Sequence, residues 1–253
     1  MKFISFFCLD QLINYIFKEI NKIFIDKLRQ MFYNYSGDGM KNKISLIYKI
    51  LIIIMCGIGL YLNFSMSSIG ENIIYFTIQS NLLCFIFYTV VVVLELLKKL
   101  KKNNFYYISK GMVTMAITVT MFVYELLIST NGGVPGYENY MLACNFVHLI
   151  VPLMIIFDYI LFGEKGNLKK EYPFIWSLIL VAYSVFDVIY VALGGTFIDG
   201  AKYPYFYMNV DKYGIVGTLL NCVVIYVFFV GYGFIVQAID NKIGHKKVIE
   251  KEN

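Results

Sequence analysis

The sequence predicts an all-α membrane protein: a six-transmembrane-helix bundle with an N-terminal amphipathic interfacial helix. Three observations predict it: an apolar composition, six apolar runs of membrane-spanning length, and basic residues concentrated in alternate connections. Of the 253 residues, 59% are hydrophobic and 15% are charged, and the mean hydropathy is +0.66. Soluble domains carry about 25% charged and about 45–50% apolar residues. A chain of this length cannot hide such an excess from water, so lipid must be the solvent for much of its surface.

The opening stretch MKFISFFCLD is too short in its apolar run for a signal peptide and lacks a small-residue cleavage site. Beyond it, Ile13, Ile16, Phe17, Ile20, Phe24, Leu28 and Met31 recur at three- and four-residue steps, with Lys18, Glu19, Lys22, Asp26 and Arg29 largely between them. That periodicity predicts an amphipathic helix on the cytoplasmic interface. A competing reading takes residues 1–39 as upstream sequence, with Met40 as the initiator. Six runs follow, at 44–65, 73–97, 107–130, 141–162, 173–194 and 214–238, each close to the roughly 20 residues a spanning helix needs. Asn131-Gly132-Gly133-Val134-Pro135-Gly136 breaks the chain before the fourth run. Pro173 opens the fifth, where its missing N–H has no helical acceptor to lose. The organisation is an interfacial segment 1–40, a transmembrane domain 41–240 and a cytoplasmic tail 241–253.

Basic residues in short loops mark the cytoplasmic side. Lys41 and Lys43 precede the first span. Lys98, Lys99, Lys101, Lys102 and Lys110 lie between the second and third, and Lys165, Lys169 and Lys170 between the fourth and fifth. Lys242, Lys246, Lys247 and Lys251 follow the sixth. The loops at 66–72 and 131–140 hold no Lys or Arg, and the loop at 195–213 has two Lys balanced by two Asp. Six spans with both termini cytoplasmic satisfy this alternation, and miscounting one span would break it. The expectation is a multi-pass protein of the cell membrane, partnered by membrane lipids. The net charge of +5 sits in these stretches and forms no nucleic-acid footprint. Cys8, Cys56, Cys84, Cys144 and Cys222 are scattered, and His148 and His245 are the only histidines. Neither a metal centre nor a disulfide framework is expected, and no nucleotide-binding loop or haem motif calls for a cofactor.

Ionisable groups inside spanning segments are costly and mark candidate sites. With the topology above, Thr77, Gln79, Ser80 and Asn81 fall in the outer half of the second span, Glu125 in that of the third, and Asn145 and His148 in that of the fourth. Asp187 and Asn221 take the same depth in the fifth and sixth. The rise of an α-helix places this layer roughly 6–12 Å below the outer interface. Thr77, Ser80 and Asn81 share a helical face by spacing, as do Asn145 and His148. Pro152 leaves the carbonyl of His148 without its usual N–H, which predicts a local distortion. A purely structural reading makes these groups interhelical hydrogen-bond partners. Glu95 and Asp158 lie at the opposite ends of their spans, within reach of lysines. Tyr203-Pro204-Tyr205-Phe206-Tyr207-Met208 is either an interfacial aromatic belt or a cap over the polar layer.

A hydroxyl beside an imidazole points to nucleophilic acyl transfer, because threonine needs a base to remove its proton and histidine is the usual base near neutral pH. Asn81 or Gln79 would donate to a developing oxyanion, and Glu125 or Asp187 would orient the imidazole. The alternative function is a non-enzymatic binder or carrier of a lipid or small molecule in the same polar pocket.

Three motifs in order, Tyr75-Phe76-Thr77-Ile78-Gln79-Ser80-Asn81-Leu82-Leu83, Asn145-Phe146-Val147-His148-Leu149-Ile150-Val151-Pro152 and Tyr203-Pro204-Tyr205-Phe206, carry a resemblance. Across residues 44–240 the chain resembles the androgen-induced protein family of multi-pass membrane hydrolases, and is most similar to its bacterial six-helix relatives. The resemblance implies hydrolysis of fatty-acid esters of hydroxy fatty acids, with Thr77 as nucleophile and His148 as base. The Ile-Gln-Ser-Asn that follows Thr77 matches the bacterial pattern and departs from the eukaryotic one.

Overall fold

The structure, a computed structural model, describes residues 38–131, 141–197 and 200–252. The expected interfacial helix over residues 1–35 lies outside the described residues. Residues 48–253 form one compact unit; of the smaller unit, 1–47, the described part is the opening of the first helix. All regular structure among the described residues is helical, and six helices are long and apolar enough to cross a membrane.

We number these helices α1 to α6. Helix α1 covers Asp38–Met66 and α2 covers Phe76–Leu96. Helix α3 covers Asn104–Val123 and runs on through a π turn, Tyr124–Ile128. Helix α4 is α-helical at Met141–Asn145, widens into a π turn at Phe146–Ile150, and resumes at Val151–Phe162. Helix α5 covers Tyr172–Ala192, with Pro173 in its first turn, and α6 covers Val210–Glu252. Gly214 interrupts α6 with a left-handed φ of 67°, a conformation that glycine adopts without a Cβ clash. The continuous part of α6 therefore begins where the apolar run 214–238 predicts.

The start of α2 differs from expectation by three residues, and local chemistry explains it. Ser68 and Glu71 form a capping box that closes a separate short helix, Ile69–Ile73. Each side chain accepts the other's backbone N–H, at 3.2 and 3.0 Å, which satisfies donors that a helix start otherwise leaves open. Tyr75 then turns extended (φ −85°, ψ 138°) and α2 opens at Phe76.

Helix α3 is the hub. Its residues Met115, Ala116, Ile117, Thr118, Val119 and Thr120 are all buried, so it is enclosed on every side. One face packs with Ile52 and Cys56 of α1, Cys84 and Tyr88 of α2 and Val151 and Ile155 of α4. The other packs with Phe76, Trp176, Tyr183 and Phe229 from α2, α5 and α6. A Cβ on Gly111 would collide with the Trp176 indole, so this glycine allows α3 and α5 their close approach. Large apolar side chains such as Ile54, Ile86, Val90, Val188 and Val224 remain exposed on the flanks, as lipid-facing surface requires.

Charged groups at one end of the bundle are paired. Lys49 Nζ lies 2.7 and 2.9 Å from the two Glu95 carboxylate oxygens. Lys110 Nζ donates to Asp158 Oδ2 at 2.7 Å, and the Tyr88 hydroxyl donates to the same oxygen at 3.0 Å. Asp240 accepts from the Tyr159 hydroxyl (2.7 Å) and the Gly166 N–H (2.8 Å). These pairs tie α1 to α2, α3 to α4, and the α4–α5 connection to α6.

Removing one member of a buried pair strands the other charge. Lys110→Met should lower stability by about 3–5 kcal/mol, and adding Asp158→Leu should restore most of it. Unfolding in detergent checks both; a double variant no more stable than Lys110→Met would contradict it.

Candidate functional site

The end of the bundle opposite those ion pairs carries uncharged polar groups and one acid. Thr77 is the second residue of α2. Its Oγ1 lies 3.2 Å from His148 Nε2, across a separation of 71 residues. The other imidazole nitrogen, Nδ1, lies 3.1 Å from the backbone carbonyl of Cys144 and 3.3 Å from its Sγ. A carbonyl can only accept, so the proton of the neutral ring sits on Nδ1. Nε2 then carries a lone pair and accepts the Thr77 hydroxyl. His148 is buried, 3% exposed, and Tyr124 stacks on its ring at 3.7 Å between centroids. The Cys144 thiol donates to the Tyr124 hydroxyl at 2.9 Å, closing a ring of three side chains with His148.

Two helix distortions make this contact. His148 is inside the π turn of α4, where the Val151 N–H reaches back five residues to Phe146. Pro152 follows directly, so the chain cannot supply an ordinary α-helical donor there. Tyr124 starts the π turn of α3, closed by the Ser129 N–H on Tyr124. Wide turns of this kind are uncommon inside α-helices and occur mostly at functional sites.

The π turn changes which residues share a face. Cys144 and His148 meet four residues apart, whereas Asn145 is exposed and does not join His148. Ser80 contacts the Thr77 carbonyl (3.0 Å) and the Thr120 hydroxyl (2.7 Å). Asn81 Nδ2 donates to the carbonyls of Thr77 (2.8 Å) and Val147 (3.1 Å), locking α2 to α4. Gln79 Nε2 donates to the Ile73 carbonyl at 3.0 Å. Both amides are thus committed to backbone and do not aim at the Thr77 hydroxyl as oxyanion donors. Asn221 Nδ2 donates to the Tyr207 carbonyl at 3.0 Å and anchors the aromatic connection to α6. Glu125 is half-buried, and Asp187 is buried with neither oxygen hydrogen-bonded among the described residues. The Cys144 carbonyl lies against Nδ1 and helps to orient the imidazole.

Thr77 opens onto a cavity of about 290 Å³ between α2, α3, α5 and α6, with Tyr124, Tyr183, Tyr205 and Tyr207 among its walls. The connection Tyr203–Met208 supplies Tyr205, Tyr207 and Met208 to this lining, so it acts as a cap. Burial lifts the phenols of Tyr205 and Tyr207 above their ordinary range, and negative charge on Asp187 adds to the effect. Tyr205 also lies beside the Thr77 hydroxyl. His148 is not part of the lining and sits behind Thr77. In the first turn of α2, the N–H groups of Phe76 and Thr77 have no acceptor within the helix, and the positive end of the helix dipole favours negative charge there.

Tyr124 and Cys144 are the site residues that spacing arguments miss, whereas Tyr205 belongs to the aromatic stretch read as a possible cap. Pro152 is the one local signal, since it foretells the distortion that brings Cys144 and Tyr124 to His148. Comparison of the chain with protein-family models, with characterised proteins and with solved structures finds no match.

Nitrogen NMR of His148 in the folded protein should show protonated Nδ1 and bare Nε2 at neutral pH; the reverse tautomer would contradict the donor assignment. Asn145→Leu should change stability by less than about 0.5 kcal/mol, because the side chain is exposed, as thermal unfolding will report.

Proposed function

We propose that the chain is an intramembrane lipid ester hydrolase with Thr77 as nucleophile and His148 as general base. The carrying observation is the 3.2 Å contact between a cavity-facing hydroxyl and the imidazole Nε2 that can accept its proton. Thr77 Oγ1 attacks the ester carbonyl carbon as its proton passes to Nε2. The carbonyl oxygen, now negative, is stabilised by the positive end of the α2 dipole. Collapse breaks the ester C–O bond, and Nε2–H returns the proton to the departing alkoxide. Water then attacks the acyl-threonine by the same route, releasing the acid and restoring Thr77. The transient imidazolium is supported by the Cys144 carbonyl on Nδ1–H and by the Tyr124 ring on its face.

The resemblance to the androgen-induced protein family supports the same pair, and it is the ground for the substrate class, fatty-acid esters of hydroxy fatty acids. A largely apolar cavity within the spanning helices suits an acyl chain. In this reading the basic connections face the cytoplasm and the site lies in the outer half of the cell membrane.

A second reading, a non-enzymatic binder or carrier, is favoured by the commitment of Gln79 and Asn81 to backbone carbonyls, which leaves no side-chain amide for an oxyanion. Purified protein in lipid vesicles, supplied with a fatty-acid ester of a hydroxy fatty acid, separates the two by the release of free fatty acid. Thr77→Ala and His148→Ala should each lower turnover by about 10²–10⁴-fold, while Thr77→Ser keeps measurable activity. Turnover surviving in both alanine variants overturns the assignment; saturable binding without turnover in the wild type establishes the binder.

A further inference from the structure

The hydrolase reading makes no use of Asp187, the acid buried closest to the cavity. It is 2% exposed, and neither carboxylate oxygen accepts a well-formed hydrogen bond among the described residues. On α5, Leu180, Tyr183 and Ser184 line the cavity, and Asp187 is the next residue on that face by three- and four-residue steps. Its charge acts on Tyr205, Tyr207 and Cys222, which line the same cavity from the cap and from α6. Asp187 is not itself in the lining; it lies beside Tyr183, behind the walls of the cavity's capped end.

Among the described residues no cation meets it; the Tyr183 hydroxyl lies beside it. The Tyr183 hydroxyl, one turn away, donates to the Ile74 carbonyl at 3.1 Å. Lys202 of the cap pairs with Asp211 at 3.3 Å on the exposed surface. An acid in apolar surroundings is penalised unless a cation or donor meets it, and within a membrane such groups mark ligand or ion sites. The walls around it are rich in tyrosine: Tyr205 and Tyr207 stack in parallel at 5.4 Å, with Tyr183 tilted 6.4 Å from Tyr205. Aromatic walls with a nearby carboxylate are the chemistry that receives an ammonium group.

We propose that this cavity binds a cationic amphiphile, its ammonium head paired with Asp187 among Tyr183, Tyr205 and Tyr207 and its chain laid along Phe76, Val119 and Ile225. The binding needs no turnover and stands apart from the ester chemistry at Thr77.

The test uses full-length protein in nanodiscs and radiolabelled dodecyltrimethylammonium, with protein-free nanodiscs as the partition control. The probe has no ester bond, so loss of binding and loss of hydrolysis are separate results. Saturable binding above the control is expected, with dodecanol competing at least about tenfold more weakly and Asp187→Asn weakening the probe at least about tenfold. Absence of saturable binding, equal competition by dodecanol, or an unchanged Asp187→Asn protein would each overturn the proposal. Should Asp187→Asn fail to fold, the comparison of ammonium with alcohol on the wild type decides.

Discussion

In hydrocarbon a polar group must bring its partner with it, because no water is there to supply one. The buried hydroxyls of this bundle meet that demand largely within their own helices. Thr118, Thr120, Ser177 and Ser184 each bond the carbonyl four residues back. Charged side chains meet it by pairing at one end, Lys49 with Glu95 and Lys110 with Asp158. The central length of α3 is then free to be packed on all sides by apolar neighbours, and this hub holds the remaining helices in place.

At the other end the same demand is met by a mixed network, which gives the site its order. Asn81 ties the carbonyl of Thr77 to that of Val147, so the Thr77 backbone and the strip of α4 before the imidazole are held by one side chain. Ser80 joins Thr77 to Thr120 of α3. Thr77 is thus fixed from two sides before its hydroxyl reaches His148. At this end the oxygens of Asp187 and Oδ1 of Asn81 are among the buried polar atoms that accept no hydrogen bond among the described residues.

The spans were legible because hydropathy averages over about twenty residues and tolerates small errors of boundary. The expected runs and the observed helices agree to within a few residues for α2 to α5, while α1 begins earlier, at Asp38, and α6 continues past the apolar run to Glu252. The depth of Thr77 and His148 was legible for the same reason, since alternating helices carry depth in residue number. Rotation about each helix axis was not. Asn145 and His148 share a face only if α4 is an unbroken α-helix, and the π turn at Phe146–Ile150 removes that condition. Helix starts were equally hidden: the Ser68–Glu71 capping box moves the opening of α2 to Phe76 and so puts Thr77 in a first turn. The roles of Tyr124 and Cys144 follow from these two local events, neither of which has a hydropathy signal.

The π turn of α4 also behaves as a phase shift in the helix. It inserts one extra residue into a turn, so every side chain on the Met141 side is rotated by about 100° relative to an uninterrupted helix. The pairing of Cys144 with His148 and the outward aspect of Asn145 are one choice, expressed at two positions. A chain shortened by a single residue between Phe146 and Ile150 would keep its hydropathy, its length as a span and both site residues. It would nonetheless rotate the Met141–Asn145 segment against Val151–Phe162, so the count of residues in that turn is itself part of the site.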